Sequence, residues 1–566
     1  MIQRQIVGAF VSALVALPLG LAFGVASGLG AEAGVLGAVI AGSISALLGG
    51  TAGQHSGPTG AVAVLLALSV AHFAVFFPNQ PEIVVALTLF VVVLSGAIQV
   101  LFGLMKWGRV VELLPHSVVS GLLTAIGLML ILEQLPAVLG GENWVRPLEV
   151  IMALPTMLHS PVWSELILGL LAGSLMFFWP KYLSAANRWL PAPILVLVLG
   201  VFLNWLFATP SMQAMVGLWW GDVRVIGPLN FSMPTLQLPP IEVWQLPYLV
   251  QTAFTLAVVG SLVSLLGAVV TEKLTRQMHN PDKELIGQGL GNMASGLLGG
   301  MASTGAPMRT LVAMSYGSRD AWSAAVHALL VGVLALVASD FFAAVPLSVL
   351  GGMLIKVGLD QIDWSYLKRW KTTPKAGRVM MLAVLITALL LDLVTAVVVG
   401  LAIASVVLLG RMTQLQLNAL HIGYEPDAIP CVWFSAEEKY VFEQAKKDTL
   451  VFIYLDVPMS FGAARAMSRR VLAMQGRAFI FDFRAVPYID FSSAMVLEDI
   501  IYRLQQRGAK VWLLLALGET QTQLERQAVL AAVAQNVLFE RQAALKQALD
   551  WLALTGEQTT DVVIQG

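Results

Sequence analysis

The chain is expected to fold as an all-α polytopic membrane domain of fourteen spans, built as two inverted seven-span repeats, followed by a small C-terminal α/β domain. Three observations carry this expectation. Of the 566 residues, 57% are hydrophobic and 12% are charged, with a mean hydropathy of +0.79; ordinary soluble domains carry about 25% charged residues. Apolar stretches of spanning length recur from residue 5 to about residue 410. Finally, two distant stretches share one lead-in and one break: Ser45-Ala-Leu-Leu-Gly49-Gly50 before His55-Ser56-Gly57-Pro58-Thr59-Gly60, and Ser295-Gly-Leu-Leu-Gly299-Gly300 before Ser303-Thr304-Gly305-Ala306-Pro307-Met308-Arg309.

The remaining composition excludes several classes. The single cysteine, Cys431, rules out an intrachain disulfide framework. The seven histidines are scattered without metal-ligand spacing, and no nucleotide-binding loop or hydrolase triad pattern occurs. No cofactor, enzymatic activity or nucleic-acid partner is therefore expected. Ile6 to Gly28 lacks a small-residue cleavage site and reads as the first span rather than a removable signal.

In the first half, spans are expected near 5–27, 31–49, 59–76, 83–105, 113–138, 162–179 and 190–207. In the second they fall near 248–270, 284–299, 306–318, 321–339, 345–361, 377–391 and 394–410. Basic residues, from Arg4 and Lys106 through the Trp364–Arg378 loop to Arg411, collect on one side, while the opposite loops hold Arg146 and Arg224. The positive-inside rule then places both termini and the tail in the cytoplasm. The basic loop fixes topology, with attraction to anionic lipid as an added effect. Residues 205–247 form a long outside loop whose Trp205, Trp219, Trp220 and Trp244 suit interfacial anchoring. Glu133 and Asp392, near outer span ends, are expected to reach the interface, and Lys356 to snorkel.

A second matched pair supports the repeat. Leu114-Pro115-His116-Ser117-Val118-Val119-Ser120-Gly121 opens the fifth span, and Val345-Pro346-Leu347-Ser348-Val349-Leu350-Gly351-Gly352 opens the twelfth. With an odd number of spans per half, the copies must lie in opposite orientation. In the first pair, small residues and a proline interrupt an apolar segment, and a helix begins after the break. Such a start points unpaired N–H groups and a positive dipole end at one spot. Two of them in matching halves suit an anion at the repeat interface.

After Arg411 the pattern changes. Leu450-Val-Phe-Ile-Tyr-Leu-Asp456, Arg477-Ala-Phe-Ile-Phe-Asp-Phe483 and Lys510-Val-Trp-Leu-Leu-Leu-Ala516 read as buried strands. Helical patterns lie at Gly462–Met474, Ser492–Gln506 and Thr520–Gln535. The expected domains are 1–411 for anion transport, 412–448 as linker, 449–555 for the α/β unit and 556–566 as tail.

Together these stretches resemble the SulP anion permeases, relatives of the mammalian sulfate, chloride and bicarbonate exchangers and of prestin, and the tail resembles their STAS domain. The similarity is greatest to the cyanobacterial bicarbonate transporters. It rests on Ala16-Leu-Pro-Leu-Gly-Leu-Ala-Phe-Gly-Val-Ala-Ser-Gly28, Ala31-Glu-Ala-Gly34, Pro58-Thr59-Gly60, Lys283-Glu-Leu-Ile-Gly-Gln-Gly-Leu-Gly-Asn292 and Lys356-Val-Gly-Leu-Asp-Gln-Ile-Asp-Trp364. The resemblance implies a core domain of spans one to four and eight to eleven moving against a gate domain of the rest. The anion would sit between the two half-helix starts, with Thr59 as side-chain ligand and backbone N–H groups near Gly60, Ala61, Met308 and Arg309. A homodimer in the inner or plasma membrane is implied too.

Some positions depart from that pattern. Sodium- or proton-coupled bacterial members carry an acidic side chain where this chain has Val263, and sodium-coupled ones a hydroxyl where it has Gly267. A hard cation needs oxygen ligands and negative charge, so transport without sodium is expected, with Ser264 offering a hydroxyl to the site. Arg309, at the start of the tenth span, follows a pattern closer to prestin; it either supplies a fixed positive charge, or snorkels, or pairs with Glu112 or Asp392. In the tail, Ser492 stands where anti-sigma antagonists carry a regulated serine, unless Asp490 and Ser492 cap the following helix. The substrates implied are bicarbonate, chloride or sulfate. An anion channel, or a regulator that signals through its tail to a cytoplasmic partner, are the alternatives.

Overall fold

The computed structural model describes residues 2–109, 115–141, 147–209, 223–229, 231, 245–391, 393–425, 429, 434–445, 449–527 and 529–561. Two compact units divide the chain, Met1–Ala404 and Ser405–Gly566. Cys431, Glu112, Arg146, Trp219, Trp220, Trp244 and Asp392 lie outside the described residues.

A helix lies at each stretch expected to span: α1 Ile2–Ala26, α2 Ala31–Leu48, α3 Gly60–Phe76, α4 Pro81–Leu104, α5 His116–Leu139, α6 Trp163–Tyr182 and α7 Ala192–Phe207. The second set is α8 Leu246–Thr275, α9 Pro281–Leu297, α10 Pro307–Ser315, α11 Ala321–Val337, α12 Leu347–Gln361, α13 Lys375–Leu390 and α14 Leu393–Asn418. Among the described residues, seven helices are long and apolar enough to cross a membrane, and α3, α7 and α11 are shorter apolar helices. α9 is more polar, because Glu284, Gln288 and Asn292 face the protein interior. An amphipathic helix at Pro147–His159, between α5 and α6, was not among the expected elements.

Small residues let these helices touch backbone to backbone. A Cβ on Gly96 of α4 would lie 2.6 Å from the Gly289 carbonyl of α9, and one on Gly127 of α5 would lie 2.5 Å from the Gly358 carbonyl of α12. α1 to α4 pack with α8 to α11, while α5 and α6 pack with α12 and α5 with α13. The internal symmetry appears in reciprocal contacts. Gly50, ending the first lead-in, takes an N–H bond from Asn280 and donates to Glu284 at the start of α9. Met301, just after the second, donates to the Ala33 carbonyl of α2. Likewise α5 and α12 open on prolines of nearly one geometry: Pro115 at φ −59°, ψ 137° and Pro346 at φ −64°, ψ 137°.

In the second unit, five strands run in the order β3 His421–Gly423, β4 Leu450–Tyr454, β5 Ala478–Asp482, β6 Lys510–Leu514 and β7 Val537–Leu538. β3 is antiparallel to β4 and the other neighbours are parallel. The apolar runs are unbroken because both faces are covered. Val451, Ile453, Phe479 and Leu513 lie in one core with Phe461–Leu472 and Phe491–Gln506, and Leu450, Phe452, Ile480 and Trp512 in the other with Arg541–Asp561. The stretch 412–448, expected as a linker, thus holds edge strand β3 and helix Ala436–Gln444, and the expected tail from 556 continues a helix to Asp561. Three-residue strands show no readable alternation, which explains the difference. The segment expected as one helix at 520–535 is a helix, Glu519–Arg526, followed by a 3₁₀ stretch, Val529–Asn536.

Candidate functional site

The two breaks meet. Ser56–Gly57 (β1) pairs antiparallel with Thr304–Gly305 (β2), in the register Ser56 to Gly305 and Gly57 to Thr304. Beyond the ladder, Ala306 N–H donates to the His55 carbonyl at 2.9 Å, and His55 N–H donates to Thr310 Oγ1 at 3.0 Å. Broken backbone inside a membrane domain must satisfy its own polar groups, and here each break satisfies the other. The pairing fixes where α3 and α10 begin.

At those starts, Thr59 is the extended N-cap of α3 but makes no capping bond with its side chain. Its Oγ1 lies instead 2.9 Å from Thr304 Oγ1. The first intrahelical bond of α3 is Ala63 N–H to the Thr59 carbonyl, so the N–H groups of Gly60, Ala61 and Val62 precede it. On α10 the first is Thr310 N–H to the Ala306 carbonyl. Pro307 has no N–H, which leaves those of Met308 and Arg309. The Met308 side chain is 68% exposed, so the backbone is what it brings to the site. Ala61 is buried, and Gly60 is covered from two sides: a Cβ there would lie 2.9 Å from Leu130 of α5 and 3.6 Å from Phe23 of α1.

Arg309 neither snorkels nor meets a described carboxylate. Its side chain is buried, and Nη2 donates to the Pro58 carbonyl. Nη1 has no partner among the described residues, and it lies 2.0 Å from where a Cβ on Gly57 would stand. The guanidinium therefore packs beneath the break, directly behind the start of α3. A side chain at position 57 would have to displace the guanidinium tip.

Ser264 also braces the second break. Its hydroxyl accepts from Gly305 N–H at 3.1 Å and so holds β2, while its carbonyl accepts from Gln54 Nε2 at 3.1 Å. Val263 is buried, and the space beside Gly267 is filled. A Cβ on Gly267 would lie 3.3 Å from Gln54 Nε2, and one on Gly305 only 1.7 Å from it. A carbonyl accepts only, so the group beside it must be the amide nitrogen, a donor. Gln54 Oε1 has no partner among the described residues. Gln54, Thr304 and Leu130 were missing from the expected site. Thr304 was legible as the hydroxyl of the second break; the other two needed the packing.

Elsewhere α1, α3, α5 and α12 line a cavity of about 160 Å³ that Glu133, Gln134 and Arg224 also border. Glu133 does not reach an interface: both its oxygens are buried and lack hydrogen-bond partners among the described residues. Arg224 forms a two-pronged pair with Glu165, at 2.9 and 2.8 Å, which raises its pKa further. Lys356 pairs with Asp360 one turn on, at 2.5 Å. In the second unit, Asp490 caps Phe491–Gln506 by accepting from Ser493 N–H, whereas Ser492 is exposed.

Comparison with known proteins gives a consistent result. The profile of the sulfate permease family matches residues 2–410 and that of the STAS domain residues 442–538. Bicarbonate transporter BicA of Synechocystis sp. is 35% identical over 91% of this chain and 88% of its own. Putative sulfate transporter YvdB of Bacillus subtilis is 25% identical over 82% of each chain. Among solved structures, the transmembrane domain of a cyanobacterial BicA matches at 35% identity with a TM-score of 0.63, covering 70% of this chain and 97% of that one. SLC26A9 shares the fold at 17% identity with a TM-score of 0.78, covering 98% and 91%.

Proposed function

The chain belongs to the sulfate permease family, and on that premise we propose that it is a secondary transporter of small inorganic anions (bicarbonate, chloride or sulfate) that works without sodium. One observation carries the proposal: two half-helix starts, joined by the β1–β2 pairing and the Thr59–Thr304 bridge, present free N–H groups with the Arg309 guanidinium behind them. In a pair of hydroxyls one donates to the other, and the acceptor's own hydrogen remains for a ligand. Thr59, the N–H groups of Gly60, Ala61, Met308 and Arg309, and the fixed charge then bind an anion by oriented dipoles.

Absence of sodium coupling is supported by Val263 and Gly267, which bring no side-chain oxygen, with the Gln54 amide nitrogen packed beside Gly267. Ser264 acts by positioning Gly305. Bicarbonate is the favoured substrate because the more similar relatives carry that name. The carrier moves its core helices, α1 to α4 and α8 to α11, against the gate, with Leu130 and Phe23 covering Gly60 in the state seen. It resides in the inner or plasma membrane as a homodimer with cytoplasmic termini. Ser492 is the regulatory position of the second unit, exposed for a cytoplasmic partner.

Counterflow of radiolabelled bicarbonate, chloride and sulfate in proteoliposomes, with sodium or an inert organic cation, tests this. Saturable exchange of at least one anion, equal in both cations, is expected. Non-saturating flux would instead indicate a channel, and no flux a sensor.

A further inference from the structure

The turn between α12 and α13 carries five basic residues and one acid over positions 361–378, and the transport reading does not use it. Lys368, Arg369, Lys371 and Lys375 are exposed and Arg378 is half-buried; none of the five meets a carboxylate among the described residues. The nearby acids are already engaged. Asp360 pairs with Lys356, and Asp363 accepts from the Tyr366 N–H and the Ser365 hydroxyl and lies 3.8 Å from His116 Nδ1. The turn nevertheless has a fixed shape. After a short helix, Trp364–Lys368, the Arg369 carbonyl accepts from the N–H groups of Thr372 and Thr373 at 3.0 Å and from both their hydroxyls at 2.9 Å. Trp364 is half exposed, with its Nε1 donating to the Leu359 carbonyl at 2.8 Å. An amphipathic ring beside exposed cations is the chemistry of a membrane–water boundary.

We propose that this basic turn is a binding site for the headgroups of anionic phospholipids, and that their binding sets the rate at which the carrier turns over. The inference rests on the transport reading. Place and charge together identify the occupant. The turn joins the ends of two apolar helices, so the anions next to it in the membrane are lipid phosphates. Four exposed cations on a turn of fixed shape offer those phosphates a ready counter-charge, and each strengthens association with a negative leaflet by about fivefold.

The link to turnover is the way the turn is fastened. The Tyr366 hydroxyl donates to Ser117 Oγ at 3.0 Å, and Asp363 N–H donates to Thr124 Oγ1 at 3.3 Å, both on α5. The ring of His116, which opens α5, stacks on Tyr366 with centroids 5.9 Å apart and planes 18° from parallel. Gly377 of α13 completes the crossing, since a Cβ there would lie 3.0 Å from both Ser117 Oγ and Tyr366 Oη. Among the described residues, the hydrogen bonds that leave the turn reach α5 and α12, and none reaches a core helix. Left without counter-charge, the clustered cations repel one another and strain the ends of α5, α12 and α13 that the turn ties together. Headgroups remove that repulsion and keep the gate rigid while the core moves past it. The hydrogen bonds of the turn reach neither half-helix start, so lipid acts on the rate and leaves the anion's own ligands as they are.

The test measures exchange of radiolabelled bicarbonate, chloride and sulfate by the full-length chain in vesicles of phosphatidylcholine, alone or with about one fifth phosphatidylglycerol. The maximal rate of the parent should rise about threefold or more with phosphatidylglycerol. Lys371→Gln combined with Lys375→Gln should weaken lipid association about 25-fold and abolish most of that rise. Lys371→Arg with Lys375→Arg keeps the charge and should respond as the parent does. Lys368→Gln serves as the second variant should the double Gln variant fail to fold. In vesicles of one composition, parent and variants should share the same half-saturating anion concentration. Equal parent rates in the two lipids would overturn the proposal and leave the transport reading intact. An equal rise in parent and Gln variant would overturn it too, because the lipid would then act elsewhere. So would a rise reproduced by glycerol 3-phosphate in phosphatidylcholine vesicles, or a half-saturating concentration that differs between parent and variant. No saturable exchange of any of the three anions in either lipid would refute the transport reading itself, and this inference with it.

Discussion

Thr59 Oγ1 and Thr304 Oγ1 share a hydrogen bond at 2.9 Å across 245 residues of sequence. The bond spans two helix breaks that the β1–β2 pairing has already aligned, so each hydroxyl is held at the mouth of the other's half-helix. Thr59→Val removes one of the pair and frees Thr304 from its partner. A hydrogen bond to a charged group is worth roughly 1.5–3 kcal/mol, so apparent anion affinity should fall about tenfold or more. Unchanged affinity in a folded variant would remove Thr59 from the site.

Gly305 has Gln54 where its side chain would be. Gly305→Ala should push the amide off the Ser264 carbonyl and loosen β2, with a loss of about 1–3 kcal/mol as in other overpacked sites. Thermal melting in detergent checks this. A variant as stable as the parent would show that Gln54 moves aside freely.

Arg309 supplies the positive charge that a carboxylate at position 263 would oppose. Arg309→Ala should lower anion affinity, and Val263→Asp should impair sodium-free transport by placing a negative charge near the anion. Native flux should be the same in sodium and in an inert organic cation. Steep sodium dependence would mean that backbone carbonyls build a cation site here.

The second unit begins before Thr449. Cutting the chain near Thr449 leaves β3 without β4 and Ala436–Gln444 without its sheet, exposing an edge strand and apolar side chains. A cut after Asn418 should therefore give the more monodisperse protein, with anion selectivity intact. Loss of selectivity in that monodisperse form would contradict the division of labour between the units.

Glu438 joins helix Ala436–Gln444 to Arg541 at 2.8 Å. Burial raises its pKa, but bonds from Arg541 and the Ser435 backbone outweigh this and hold it below the usual carboxylate value. A lowered native pKa means stability present at neutral pH and lost as pH falls through that native value. Glu438→Gln should melt lower than the parent at pH 7, and the gap should close toward acid. A gap that persists at low pH would assign the loss to packing.

By itself the sequence determined where the apolar helices lie and the place of both breaks, because these follow from local signals: apolar length, small-residue lead-ins and a proline that stops a helix. Every expected span has its helix, and the three main strands of the second unit lie where their apolar runs predicted. The tertiary structure decided which groups inside those elements face one another. That Arg309 turns beneath Gly57, that Ser264 holds Gly305, that Gln54 fills the space beside Gly267 and that His55 meets His327 all depend on contacts between segments hundreds of residues apart. The same held for Glu133, which sits near a span end in the sequence yet has both oxygens buried beside the cavity that α1, α3, α5 and α12 line. Hydropathy along one helix records how deep a side chain lies in the bilayer, whereas its neighbours are set by how the helices pack, and no local pattern carries that information.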